Sequence, residues 1–168
     1  MLSPKLLAFE APTRPKAEDV RMDGRKARVL VVDDNDALRE TLGAVLEAAG
    51  YEVTCAESGS AALESIVDAP PDLILLDIMM PGMGGVELLR TLRKHGDMNP
   101  FGIIAMSGYV TASASPAKWF LRKPLDLDLT LAIVADFCAT VGATAKVGRK
   151  ERTSEIRTRS PVLRTRSA

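Results

Sequence analysis

The 168-residue sequence has few cysteines, one histidine and no long apolar run. It therefore has little from which to build a thiol-ligated metal site, a disulfide framework or a membrane anchor. Its two cysteines, Cys55 and Cys138, match neither a zinc-site spacing nor a disulfide pattern. Its one histidine, His95, lies among charged residues, and we interpret it as solvated surface. No apolar run reaches the ~18 residues of a membrane span, and the N-terminal apolar stretch is too short for a signal peptide. The sequence therefore predicts a cytoplasmic protein with reduced thiols and no membrane insertion.

Acidic and basic residues are segregated along the chain, although the formal net charge is zero. Residues 29–145 contain seven Lys and Arg against sixteen Asp and Glu, whereas residues 146–168 contain eight against two. The acidic body suits a cation site and makes DNA unfavourable as the main partner. The basic tail leaves open an alternative, a nucleic-acid-binding regulator that acts through residues 146–168. No aromatic residue or motif accompanies these charges, so we prefer a solvated tail.

Apolar runs and helical repeats alternate through the middle of the chain. Residues 28–32, 73–76 and 102–106 are apolar runs typical of buried strands, and residues 51–56 and 119–122 predict two more. Helical periodicity follows every strand except the fourth, and tight hairpin turns are missing. The sequence therefore predicts an α/β fold with a five-stranded parallel sheet and helices on both faces. We expect a flexible arm over residues 1–26, one domain over residues 27–140, and a disordered tail over residues 141–168.

Polar residues follow the predicted strands at the point where each strand ends. They are Asp33 and Asp34, Asp77, Ser107 and Lys123. Active groups gather at the carboxyl ends of parallel strands, so we expect these side chains to converge. Carboxylates without nearby histidine or thiolate favour Mg²⁺. A carboxylate beside such a metal can attack phosphorus and form an acyl phosphate, with a lysine and a hydroxyl to stabilise the charge.

Four segments give the chain a resemblance to the receiver domain of response regulators in two-component signalling. They read LVVDDN at residues 30–35, LLDIMMPGM at 75–83, MSGY at 106–109 and FLRKP at 120–124. Asp77 follows Asp34 by 43 positions, and Ser107 follows Asp77 by 30. The likeness spans about residues 27–140 and implies a flavodoxin-like, doubly wound (βα)5 fold.

The resemblance implies roles for the acidic residues. Asp77 is the implied phosphoacceptor. Asp33, Asp34 and Asp77 are the implied Mg²⁺ ligands, together with the backbone carbonyl of Met79.

The resemblance also implies roles for residues near the fourth and fifth strands. Ser107 and Lys123 are expected to stabilise the phosphoryl group, and Ser107 and Phe120 to form the switch. The bond between Lys123 and Pro124 is expected to be cis. Phe120 has a plainer alternative, which is an ordinary place in the core. Lys123 follows Ser107 by only 16 positions, so we expect the fourth helix to be short or absent.

The implied function is that of a phosphoprotein in a phosphorelay. The protein would receive its phosphoryl group from a sensor histidine kinase or a histidine phosphotransfer protein and change its surface toward a downstream protein target. It would be no enzyme beyond its own phosphorylation and dephosphorylation. Because 28 residues follow Thr140, we expect a single-domain regulator without a folded output domain. A metal-dependent hydrolase is a third interpretation, but the sequence supplies no second catalytic acid for it.

Overall fold

The computed structural model describes residues 21–22, 25–94, 101–108 and 119–142. In these ranges the elements are, in chain order, β1 (Arg21–Met22), β2 (Arg25–Lys26), β3 (Arg28–Val32), α1 (Asp36–Ala48), β4 (Glu52–Ala56), α2 (Gly59–Asp68), β5 (Leu73–Asp77), α3 (Gly85–Lys94), β6 (Gly102–Ser107), β7 (Trp119–Arg122) and α4 (Leu127–Gly142).

Strands β3 to β7 form one parallel sheet in the order β4-β3-β5-β6-β7. The register pairs Val32 with Leu76 and Asp77 with Met106, so the strands end at a common level. Parallel strands need crossover connections, which α1, α2 and α3 supply between β3 and β6. The predicted five-stranded parallel sheet with helices on both faces is therefore confirmed.

Two apolar layers flank the sheet, because alternate side chains of each strand point to opposite faces. On one face Val29, Leu75 and Met106 belong to a buried cluster that includes residues of α1 and α4. On the other face Leu30 and Leu76 belong to a cluster built with α2 and α3. Burial on both sides explains why β3, β5 and β6 are continuous apolar runs rather than alternating ones.

Side-chain caps and one glycine set the helix ends. Asn35 accepts a hydrogen bond from the Leu38 N–H (3.0 Å), and Asp126 accepts one from the Leu129 N–H (3.0 Å). Such caps satisfy amide groups that have no partner inside the helix. After α1 the chain reverses at Gly50, whose φ of 102° suits glycine.

Part of the segment that we expected to be a flexible arm contains two short strands. β1 and β2 form a small antiparallel ladder in which Arg21 pairs with Lys26 and Met22 with Arg25. Arg25 then forms an ion pair with the buried Asp72, which precedes β5. Residues 21–22 and 25–26 thus form regular structure inside the predicted arm, and the sequence alone did not reveal the distant buried carboxylate that Arg25 binds.

Other predictions concern residues that the structure does not describe. Residues 1–20, the basic tail from residue 143, and residues 109–118, where we expected a short or absent fourth helix, all lie outside the described ranges. The boundaries of arm, domain and tail therefore remain predictions. Within the described ranges, no helix has both the length and the apolar character that a membrane crossing requires.

Candidate functional site

Five polar residues lie where parallel strands end. Asp33 and Asp34 follow β3 directly, Asp77 and Ser107 are the last residues of β5 and β6, and Lys123 follows β7. Asp33 and Ser107 are fully buried, and Asp77 is 4% exposed. Burying carboxylates at this depth is unfavourable unless other groups compensate the charge, so these acids need a partner.

The three acids form a compact group. Carboxylate oxygens of Asp33, Asp34 and Asp77 all lie within 4.8 Å of one another. Asp34 is exposed, whereas the other two are buried, so the group has one side open to solvent. An all-carboxylate set with an open side fits Mg²⁺, which prefers oxygen ligands and retains several waters.

Lys123 holds the two buried acids together. Its Nζ donates to Oδ2 of Asp33 and to Oδ2 of Asp77, each at 2.6 Å. Burial lowers the pKa of Lys123, but the hydrogen bonds and charges of the two aspartates outweigh it and raise this pKa above its ordinary value. The lysine therefore remains a cation in the centre of the site.

Backbone amides hold the remaining oxygens of the buried acids. The Met79 N–H donates to Oδ1 of Asp77 (2.8 Å), and the Asn35 N–H donates to Oδ1 of Asp33 (3.0 Å). The start of α3 also lies close to the Asp77 backbone, since a Cβ on Gly85 would lie 2.1 Å from the Asp77 carbonyl oxygen. Both buried carboxylates are thus fixed in orientation by the chain that follows them.

The other predicted site residues lie around this centre. The Lys123 N–H donates to the Ser107 carbonyl (2.9 Å), which brings the ends of β6 and β7 together. The Lys123–Pro124 peptide bond, for which we expected a cis geometry, is cis. Phe120 is half-buried and packs against the cluster formed with α2 and α3. Met79 is 57% exposed at the mouth of the site.

Arg39 is a site neighbour that the sequence analysis missed. Its Nη1 donates to the Asp33 carbonyl oxygen (2.7 Å), and its Nη2 contacts the Asp36 carboxylate. A signal was available, because Asp36 and Arg39 are three residues apart on a predicted helix, the spacing of an ion pair. Nothing local indicated the contact with Asp33.

Comparison with known proteins decides between the open interpretations. Residues 29–135 match the family described as "Response regulator receiver domain". The chain belongs to this family. The family match supports a phosphoacceptor role in two-component signalling and gives no support to the nucleic-acid-binding alternative. The basic tail lies beyond the matched residues.

Related proteins share this region rather than their full length. The chain is 38% identical over 129 residues to "Transcriptional regulatory protein FixJ" of Azorhizobium caulinodans, covering 73% of this chain and 59% of that protein. It is 37% identical over 107 residues to "Regulatory protein AtoC" of Escherichia coli, covering 60% of this chain and 23% of that protein. The chain therefore spans less than two thirds of these relatives.

Solved structures of shorter chains agree with the fold. Chemotaxis protein CheY4 of Vibrio cholerae aligns with a TM-score of 0.60 at 29% identity, over 66% of this chain and 98% of that one. The receiver domain of Francisella response regulator 1452 aligns with a TM-score of 0.63 at 28% identity, over 68% and 98%. The receiver fold that the sequence predicted is thus confirmed.

Proposed function

We propose that Asp77 accepts a phosphoryl group from a phosphohistidine. The observation that carries the proposal is the position of the Asp77 carboxylate. It is almost fully buried, lies at the sheet edge within 4.8 Å of two other acids, and accepts a hydrogen bond from Lys123. A structural aspartate would need only the lysine; the two further acids are explained by a cation site.

The chain's own residues supply the positioning for the transfer. One oxygen of Asp77 attacks phosphorus, and the P–N bond of the donor breaks as the new O–P bond forms. The imidazole nitrogen leaves with the electron pair of that bond and is protonated. The Met79 N–H and Lys123 Nζ hold the carboxylate from two sides, so its orientation is fixed before the donor arrives.

Magnesium is the cofactor that these residues would hold. The ligands would be Asp33, Asp34, Asp77 and the backbone carbonyl of Met79. Bound there, Mg²⁺ would neutralise charge on the transferred phosphoryl oxygens. Lys123 lies 2.6 Å from Oδ2 of Asp77 and is therefore placed to donate to a phosphoryl oxygen on that side.

Ser107 and Phe120 are proposed to convert the modification into a change of surface. Ser107 is buried at the end of β6, beside the strand that carries Asp77. Movement of its hydroxyl toward a phosphoryl oxygen would disturb β6 and β7, which pair Ala105 with Phe120. The half-buried Phe120 would then change rotamer, and the population of two surface states would shift.

The partners follow from this chemistry and from the family. Receiver domains are phosphorylated by kinases or phosphotransfer proteins, so we propose a sensor histidine kinase or histidine phosphotransfer protein as donor and a downstream protein as target. The protein would act in the cytoplasm and catalyse only its own phosphorylation and dephosphorylation.

Incubation with acetyl phosphate and Mg²⁺, followed by intact mass measurement, tests the proposal. The wild type should gain one phosphoryl group, and Asp77→Asn should gain none. Asp72→Asn is the matched control, because Asp72 is also buried but lies before the amino end of β5, whereas Asp77 lies at its carboxyl end. Equal labelling of the wild type and Asp77→Asn would refute the assignment.

A further inference from the structure

We infer that Arg39 is a positioning residue for Asp34, the one exposed member of the acidic group. This inference rests on the proposed Mg²⁺ site and names the residue that aligns its least constrained ligand. Arg39 lies in α1 and does not belong to the acidic group. It acts through the backbone of the loop that joins β3 to α1.

The guanidinium of Arg39 spans this loop. Nη1 donates to the Asp33 carbonyl (2.7 Å) at its start, and Nη2 contacts the Asp36 carboxylate at the first turn of α1. The Arg39 side chain is only 15% exposed, whereas Asp36 is 80% exposed. The contact with Asp36 alone is thus a surface pair of small value. The bond from Nη1 to the Asp33 carbonyl is partly buried, and it is the contact through which Arg39 acts on the loop.

The three acids differ in what holds them. Asp33 and Asp77 each accept a backbone N–H and the Lys123 ammonium. Within the described ranges, the Asp34 carboxylate accepts no hydrogen bond. Its direction therefore depends on its own backbone, and the peptide group that joins Asp33 to Asp34 is planar. By fixing the Asp33 carbonyl, Arg39 fixes the peptide plane from which Asp34 projects.

Charge and positioning predict opposite effects of removing Arg39. A guanidinium near the acidic group repels Mg²⁺, so its removal would strengthen Mg²⁺ binding if charge were its only role. If Arg39 aligns Asp34, its removal weakens binding. Residues that orient metal ligands through a second shell are worth about tenfold or more in affinity. The sign of the change therefore separates the two roles.

Calorimetric titration of Mg²⁺ tests the inference with Arg39→Gln and Arg39→Lys. We expect both variants to raise the dissociation constant about tenfold, because lysine retains the charge but lacks the planar fork that reaches both partners. Arg90→Gln is the control, since Arg90 is an exposed arginine of α3 and its loss changes net charge equally. An unchanged or lower dissociation constant for the Arg39 variants would overturn the inference.

Two further measurements separate local positioning from general damage. In the metal-free Arg39→Gln protein, the Asn35 amide should exchange faster, whereas amides of β5 should keep wild-type rates. Phosphorylation by acetyl phosphate should return to the wild-type rate at saturating Mg²⁺. A defect that saturating Mg²⁺ does not correct would contradict the inference. Absence of Mg²⁺ binding by the wild type would instead remove the proposed function, and the inference with it.

Discussion

The ion pair between Arg25 and Asp72 should contribute measurably to stability, although Arg25 precedes the matched family region. Arg25 reaches the Asp72 carboxylate with two hydrogen bonds, Nη1 to Oδ2 (2.8 Å) and Nη2 to Oδ1 (2.9 Å). The Arg28 N–H also donates to Oδ2 (2.8 Å). Replacing Arg25 by alanine leaves a buried carboxylate without its guanidinium.

The expected loss of unfolding free energy on Arg25→Ala lies between two limits. Removing one partner of a fully buried pair costs about 3–5 kcal/mol, and an exposed pair contributes about 0–1 kcal/mol. The Asp72 side chain is fully buried but that of Arg25 is 35% exposed, so water can replace part of the lost interaction. We therefore expect Arg25→Ala to lower the free energy of unfolding by about 2 kcal/mol, which is close to the contribution of one hydrogen bond to a charged group.

Urea denaturation followed by circular dichroism measures this change. Lys26→Ala is the control, because Lys26 is the neighbouring exposed cation in the same short strand. A double-mutant cycle with Asp72→Asn should return a coupling energy above about 1 kcal/mol, since the two side chains share their bonds. A loss below about 0.5 kcal/mol for Arg25→Ala, no larger than an ordinary surface substitution, would refute this reasoning.

Other substitutions test the packing and charge of the fold and site. Gly85→Ala should lose about 1–3 kcal/mol in urea denaturation because its Cβ would overlap a backbone oxygen, whereas Gly43→Ala in α1 should gain up to about 1 kcal/mol. Burial raises the pKa of Cys138 from 9.0 to about 12, so the fold favours the thiol and loses stability as pH rises through this window. Relative to Cys138→Ala, the wild type should lose about 1.4 kcal/mol between pH 8 and pH 10, and parallel pH curves would contradict this. Lys123→Met should slow phosphorylation by acetyl phosphate about a hundredfold. The same variant should not weaken Mg²⁺ binding in calorimetry, because the lysine competes with the metal for the same carboxylates. Weaker Mg²⁺ binding would contradict this competition.

Local patterns were sufficient to predict the five strands of the parallel sheet and their order along the chain. The apolar runs that end at Val32 and Leu76 predicted buried strands, because a central parallel strand is covered on both faces. Asn35 and Asp126 stand directly before periodic segments, where a side-chain acceptor satisfies amides that have no partner inside the helix. Placing polar residues at strand ends then predicted their convergence at one edge of the sheet.

Contacts between distant residues could not be predicted in the same way. Arg25 and Asp72 are separated by 47 positions, and no periodicity links them. The Arg39 bond to the Asp33 carbonyl depends on the angle at which α1 leaves the sheet, which tertiary packing sets. The exposure of Cys55 has a similar origin, because its strand β4 is at the edge of the sheet.

Borohydride reduction of the phosphorylated protein, followed by peptide mass mapping, tests the central claim most directly. An acyl phosphate on aspartate is reduced to homoserine, which marks the modified position. The account predicts homoserine at position 77 after treatment with acetyl phosphate and Mg²⁺, and none when Mg²⁺ is chelated. Homoserine at position 33 or 34, or a phosphoryl group that resists borohydride on a hydroxyl side chain, would contradict it.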